Sequence, residues 1–188
     1  MLQRTLILVS ITVLLTACGN FGQKKPDVVN LEHPDANEQT QNSDYLKIVG
    51  DSVEIPFFEI ELNLSEKAEA KLKTDHETVI VMAYFEGIAN MENIPDKYKD
   101  RAGFGRLHLL SYPIELTDKR MARFENITFP KDLYDLLENK DIMLLINVFS
   151  GRQSTEDNLL EVDILEGNMS ELKEKRFTLN GKLIYNDK

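Results

Sequence analysis

The sequence predicts a mainly β fold, an antiparallel two-sheet sandwich with two short crossover helices. Three observations carry that expectation. Apolar residues recur mostly with period two from Tyr45 to the end, only two short stretches carry a helical pattern, and the strands lack the βαβ rhythm of a doubly wound sheet.

The elements follow in order. Val53, Ile55, Phe58, Ile60, Leu62 and Leu64 alternate with Glu54, Glu59, Glu61 and Asn63, which makes one face of a long strand apolar and the other acidic. Pro56-Phe57 shifts the register by one residue, the mark of a bulge or an edge position, because proline cannot donate to a ladder. Ser65 to Lys73 then switches to good helix formers, with Ser65 as N-cap and Ala68 and Leu72 facing inward. Thr78 to Phe85 is almost continuously apolar and rich in β-branched and aromatic residues, the pattern of a central strand covered on both faces. Ala89 to Gly103 is polar, contains Pro95, and is the longest loop expected.

Leu107 to Leu116 is a strand bent at Pro113, and Arg123 to Phe129 sets Phe124, Ile127 and Phe129 against polar neighbours. Pro130 to Glu138 forms the second short helix, with Pro130 in its first turn and Leu133, Leu136 and Leu137 as its buried stripe. Ile142 to Phe149 is a second apolar strand, and Leu159 to Leu165 alternates again with Glu161 and Asp163. Phe177, Leu179 and Leu183 flank Asn180-Gly181, a hairpin-turn signal. Seven or eight strands with two helices fit an immunoglobulin-like or transthyretin-like sandwich over 45–188. About 140 residues is the usual size of one domain and enough to bury a core.

The N-terminus has a different character. Arg4 precedes an apolar run from Leu6 to Leu15, interrupted only by Ser10 and Thr12, and the run ends at Leu15-Thr16-Ala17-Cys18. Ten such residues make roughly 15 Å of helix, half of a ~30 Å hydrocarbon core, which is the layout of a signal peptide over 1–17 and too short for a span. Leu15-Thr16-Ala17-Cys18 resembles the lipobox of bacterial lipoproteins. The resemblance implies cleavage before Cys18 and lipid attachment at Cys18, with diacylglyceryl on sulfur and an acyl group on the amine. Multiple chains, at about 0.8 kcal/mol per buried CH₂, hold a protein to a bilayer far more firmly than one. Gly19-Asn20 replaces the Asp that signals inner-membrane retention in enterobacterial lipoproteins, so the resemblance further implies an outer-membrane anchor, facing the periplasm or the cell surface. It also accounts for the only cysteine, which would otherwise be an unpaired thiol in an exported chain.

Residues 19–44 are rich in Gly, Gln, Asn, Asp and Pro, the composition of a disordered linker behind the lipidated Cys18. A coil of ~26 residues averages roughly 28 Å end to end and reaches about 90 Å when stretched. Removing Arg4 from the 22 basic residues leaves 21 against 32 acidic, a net charge of about −11. Such a surface repels phosphate backbones, so nucleic acid is not an expected partner.

The motif search yields no enzyme chemistry, and no catalytic, cofactor-binding or metal-binding residue is expected. His33 lies in the linker. Asp75-His76-Glu77 is adjacent in sequence but cannot converge on one ion from a strand, and reads as a solvated turn. His108 alternates with Leu107 and Leu109 and points to the rim. Glu59 with Glu61 and Glu161 with Asp163 read as solvated strand faces, and Glu156-Asp157-Asn158 lacks the spacing of a calcium loop. Aromatics and arginines carry binding energy at interfaces. That rule nominates Tyr98, Arg101, Phe104 and Arg106 around the 89–105 loop, and Arg152 in the connection after Phe149, as partner-binding residues.

The functional expectation is a membrane-anchored interaction or envelope-assembly module with an envelope protein as partner. An inhibitor or immunity-type lipoprotein, whose acidity would steer it to basic hydrolases, is the alternative, and a carboxylate hydrolase is the least favoured. At the level of fold alone, short helices between the strands of a sandwich are similar to the type VI secretion outer-membrane lipoproteins, which have transthyretin-like folds.

Overall fold

Alternating apolar strands need a second sheet against which to bury one face, and the computed structural model supplies it. The structure describes residues 45–172 and 175–185, all within one unit of the chain. The signal, the lipobox and the linker assigned to 1–44 lie outside the described residues. The strands are β1 (Lys47–Val49), β2 (Ser52–Glu54), β3 (Phe58–Leu64), β4 (Val79–Ile88), β5 (Ala102–Gly103), β6 (Arg106–Leu116), β7 (Met121–Phe124), β8 (Thr128–Pro130), β9 (Met143–Ser150), β10 (Leu160–Val162), β11 (Leu165–Asn168) and β12 (Arg176–Leu183). The helices are α1 (Glu66–Thr74), linking β3 to β4, and α2 (Lys131–Asp135), linking β8 to β9.

A four-stranded sheet, β10-β12-β3-β7, faces a five-stranded sheet, β11-β9-β4-β6-β5, and a small third sheet, β1-β2-β8, flanks them. The sheets meet through Phe58, which stacks on Phe124 at 4.6 Å and meets Phe85 edge-on at 6.4 Å. Each such pair contributes about 1 kcal/mol beyond its buried area. Val79, Val81, Ala83 and Phe85 line the same core from β4, fully buried. The mainly β sandwich stands as expected, and Ser65 caps α1 by accepting from the Ala68 amide at 3.3 Å.

Three of the differences from expectation are of one kind. The run 53–64 is not one strand. It breaks at Ile55-Pro56-Phe57, where proline cannot donate, and passes from the third sheet to the four-stranded one. The run 121–130 changes sheet in the same way around Asn126 (φ 57°), and 160–168 changes sheet between Val162 and Leu165. The alternation continues on either side of the breaks, with a one-residue offset at Pro56-Phe57, because the sheets on both sides border one core.

Asn180-Gly181 is not a turn but the middle of β12, which runs parallel to β3. Gly181 stands there because a Cβ would lie 2.6 Å from Leu64 Cδ2 and 2.8 Å from Val162 Cγ2. The 89–103 stretch is not a plain loop either: it folds into two 3-10 turns, Met91–Asn93 and Asp96–Arg101, followed by β5.

β4 also departs from expectation, since only one of its faces is covered. Ile80, Met82 and Tyr84 look outward beside Phe149, Asn147 and Leu145 of β9, each at least partly exposed. The outward face of the four-stranded sheet is polar by contrast, with Glu59 opposite Arg176 and Glu61 opposite Thr178. Glu59 is not solvated as expected. It is buried under Arg176, which donates at 2.7 and 2.9 Å, and paired with Arg123 at 3.4 Å.

Candidate functional site

The five nominated residues fall into three places. Tyr98 sits in the second 3-10 turn, packs against the core, and donates its hydroxyl to Asp132 Oδ2 at 2.6 Å. Lys97 Nζ donates to the same oxygen at 2.6 Å, and these two hydrogen bonds hold the Asp132 carboxyl below its ordinary range. Tyr98 is therefore a strut between the turn and the start of α2, with its polar end already occupied.

Arg101, Phe104 and Arg106 come together. Ala102 pairs with Leu107 and Gly103 with Arg106, which leaves Phe104-Gly105 as a two-residue hairpin tip. Both tip residues have positive φ, 51° and 75°, the signs required by a type I′ turn. Gly105 meets that demand without strain. Phe104 does not: a bulky L-residue in this region costs roughly 1–2 kcal/mol, and Asn or Gly is the usual occupant. Nor does burial repay the strain, because Phe104 has a relative accessibility of 107 %.

Behind the tip lies an open groove of about 650 Å³, lined by Glu86, Asp100, Arg101, Phe104, Arg106 and His108. Arg101 Nη1 donates to the Leu109 carbonyl at 3.1 Å, which aims the guanidinium, and among the described residues it has no ion-pair partner. Arg106 is engaged, with Nη1 3.3 Å from Glu86 Oε2 and 4.0 Å from Glu166 Oε1. His108 shares a 3.1 Å hydrogen bond between Nε2 and Ser111 Oγ. Its burial, aided by Arg101 and opposed by Glu86, pushes its pKa below the usual histidine range. Glu86 and His108 were not selected from sequence. The register shift opposite Phe85/Glu86 places them side by side, and no spacing rule shows that.

Arg152 is elsewhere. Ser150 pairs with Val79, whereas Arg106 pairs with Ile88, so the length of β4, about 30 Å, separates Arg152 from the hairpin. Its guanidinium lies 5.9 Å from the centre of the Phe149 ring.

Beside it, Glu77 corrects the sequence reading of 75–77 as solvated. Glu77 is buried, 4 % exposed. It accepts from the amides of Thr78 (3.1 Å), Gln153 (3.0 Å) and Ser154 (2.9 Å) and from the Ser154 hydroxyl (2.8 Å). Burial alone would raise its pKa, but these hydrogen bonds outweigh burial and hold it below the ordinary glutamate range. Asp75 pairs with Lys71 at 3.0 Å, and His76, at φ 54°, is exposed. Asn158 of the acidic 156–158 segment is also committed, since its Oδ1 accepts from the Ser150 amide at 2.9 Å. Among the described residues, no cluster of three or more His, Cys, Asp or Glu side chains could hold a metal ion, and no helix is long and apolar enough to cross a membrane.

No protein family, no curated protein and no solved structure matches the chain.

Proposed function

We propose that this chain is a lipoprotein anchored through Cys18 in the outer membrane, facing the periplasm or the cell surface. Its sandwich serves there as a protein-interaction or envelope-assembly module. The observation that supports this reading most is Phe104. It is an aromatic side chain raised on a strained hairpin between two arginines, contributing nothing to the core. Strain kept at an exposed position is a feature of functional surfaces, and aromatics with arginines are the residue types that dominate interface energetics. The net charge of about −11 on the chain from Cys18 onward also favours a second reading, capture of a basic hydrolase by an inhibitor-type lipoprotein.

Two experiments test the proposal. Cys18→Ser is expected to move the protein out of the membrane fraction, or leave it unprocessed, with the melting temperature of the domain unchanged. Retention of fully processed Cys18→Ser protein on the membrane would end the anchor assignment. Affinity purification of the tagged full chain from solubilised envelopes is expected to return a stoichiometric protein partner. Inhibition of a basic lysozyme by the purified chain, without such a partner, would select the second reading.

A further inference from the structure

The hairpin tip allows a narrower statement, which rests on the interaction-module reading above. We infer that Phe104 is the anchor residue of the interface, inserting into an apolar pocket of an envelope protein whose rim carries a carboxylate that meets Arg101.

Four observations carry this. Phe104 is fully exposed, and the positive φ at Phe104 and Gly105 holds its side chain away from the sheet. The tip is a tight two-residue turn closed by the Gly103–Arg106 pair, so little conformational freedom is lost on insertion. Glycines flank the aromatic on both sides, and a Cβ at either would meet nothing within 4 Å, so a pocket wall can approach the backbone closely. Arg101 is aimed by the Leu109 carbonyl yet has no acidic partner among the described residues, whereas Arg106 is already paired with Glu86. One directed cation without a counter-ion beside one unburied aromatic defines the complement: an apolar floor and an acidic edge.

The charge of the chain argues against a lipid headgroup as occupant. A membrane presents many anionic groups at once, which the acidic chain as a whole repels, whereas the inferred rim brings a single carboxylate to the Arg101 guanidinium.

The test uses the full lipidated chain in its native host, with a photoreactive phenylalanine analogue in place of Phe104 and, in separate strains, in place of Phe149 and Arg152 at the other end of β4. The expected result is a covalent adduct from position 104 to one envelope protein. With that protein purified, Phe104→Asn should weaken binding to the full chain roughly 10- to 30-fold, as loss of a central anchor does. Arg101→Ala should weaken it less, and Arg152→Ala not measurably. Asn-Gly suits the turn better than Phe-Gly, so Phe104→Asn should also melt no lower than the wild type.

Any one of these results overturns the inference: adducts from 104 to acyl chains only, adducts to a second copy of this chain only, undiminished binding by Phe104→Asn, or a lowered melting temperature for Phe104→Asn. Protein adducts from 149 or 152 but not from 104 would sink the anchor and leave the interaction module standing. No protein adduct from any position would remove both.

Discussion

The hairpin over 102–106 and the connection over 151–158 look alike in sequence. Each is a glycine-containing segment with an arginine near a phenylalanine, and each leaves or enters an apolar strand. In the folded chain they differ in where their polar groups go. Glu77 takes two backbone amides and a hydroxyl from Gln153 and Ser154, the Gly151 amide donates to the Thr78 carbonyl at 2.8 Å, and Asn158 and Ser150 close the other side. The hairpin tip is tied down by a single backbone hydrogen bond, from the Ala89 amide to the Gly105 carbonyl at 3.2 Å, and among the described residues no buried carboxylate gathers its amides. One loop is consumed in holding itself to the sandwich; the other holds an aromatic residue away from it. Two loops that each carry a glycine and an arginine near a phenylalanine are thus separated by whether a buried acceptor lies under them.

The largest expected effect comes from removing that acceptor. In Glu77→Gln, an amide NH₂ replaces an oxygen that now receives donors, and the Thr78, Gln153 and Ser154 amides lose a charged acceptor. Such losses cost about 3 kcal/mol in total, or roughly a 10 °C fall in melting temperature for a domain of this size. The sign of the pH dependence follows from the depressed pKa of Glu77. Its contribution is fully present above the ordinary unfolded glutamate value of about 4.3 and is lost as pH falls through the lower folded value. Wild-type protein should therefore lose stability more steeply than Glu77→Gln as pH drops below about 5. Parallel melting-temperature profiles from pH 6 to 3 would mean that Glu77 does not clamp the loop.

Gly151→Ala is the next largest. A Cβ there would sit 1.8 Å from Thr78 Oγ1, which itself donates to Glu115 at 2.7 Å, so Thr78 must leave its rotamer or the end of β4 must shift. Overpacking of this kind costs about 1–3 kcal/mol. Adding Thr78→Ala removes the closest contact and should recover part of that loss, a coupling that thermal melts of the two single variants and the double variant would measure. Strict additivity would place the strain somewhere other than this contact.

These contrasts mark how far the sequence could be read. Alternation of Val53 to Leu64 and of Leu159 to Leu165 correctly reported a mainly β sandwich, because burial on one face imposes period two whatever sheet a residue belongs to. For the same reason it could not show that each run changes sheet midway, and only Pro56 left a local signal. Gly181 was ambiguous because a turn and a close approach both require glycine. Residue type nominated Arg101, Phe104 and Arg106, which the fold brings together at one hairpin, whereas Glu77 was read as solvent-facing and is buried. Its burial depends on amides 76 and 77 positions later in the chain, a long-range match with no local periodicity. Arg152 and Arg106 each lie near a phenylalanine in the chain, and only the register of β4 with β6 and β9 places them at opposite ends of a sheet.

The smallest expected effect is the most direct check on the hairpin side of the comparison. Gly103 has no positive φ, and a Cβ built on it meets nothing within 4 Å. Gly103→Ala should therefore change stability by no more than about 0.5 kcal/mol, the range of an ordinary surface substitution. Partner binding should respond differently, because the added methyl stands where a pocket wall approaches the tip. A variant that melts like the wild type but binds the captured protein more weakly would separate a loop that holds the fold from one that meets a partner. Should Gly103→Ala instead lower the melting temperature as much as Gly151→Ala, the tip packs against the domain, and the two loops differ only in which contacts hold them down.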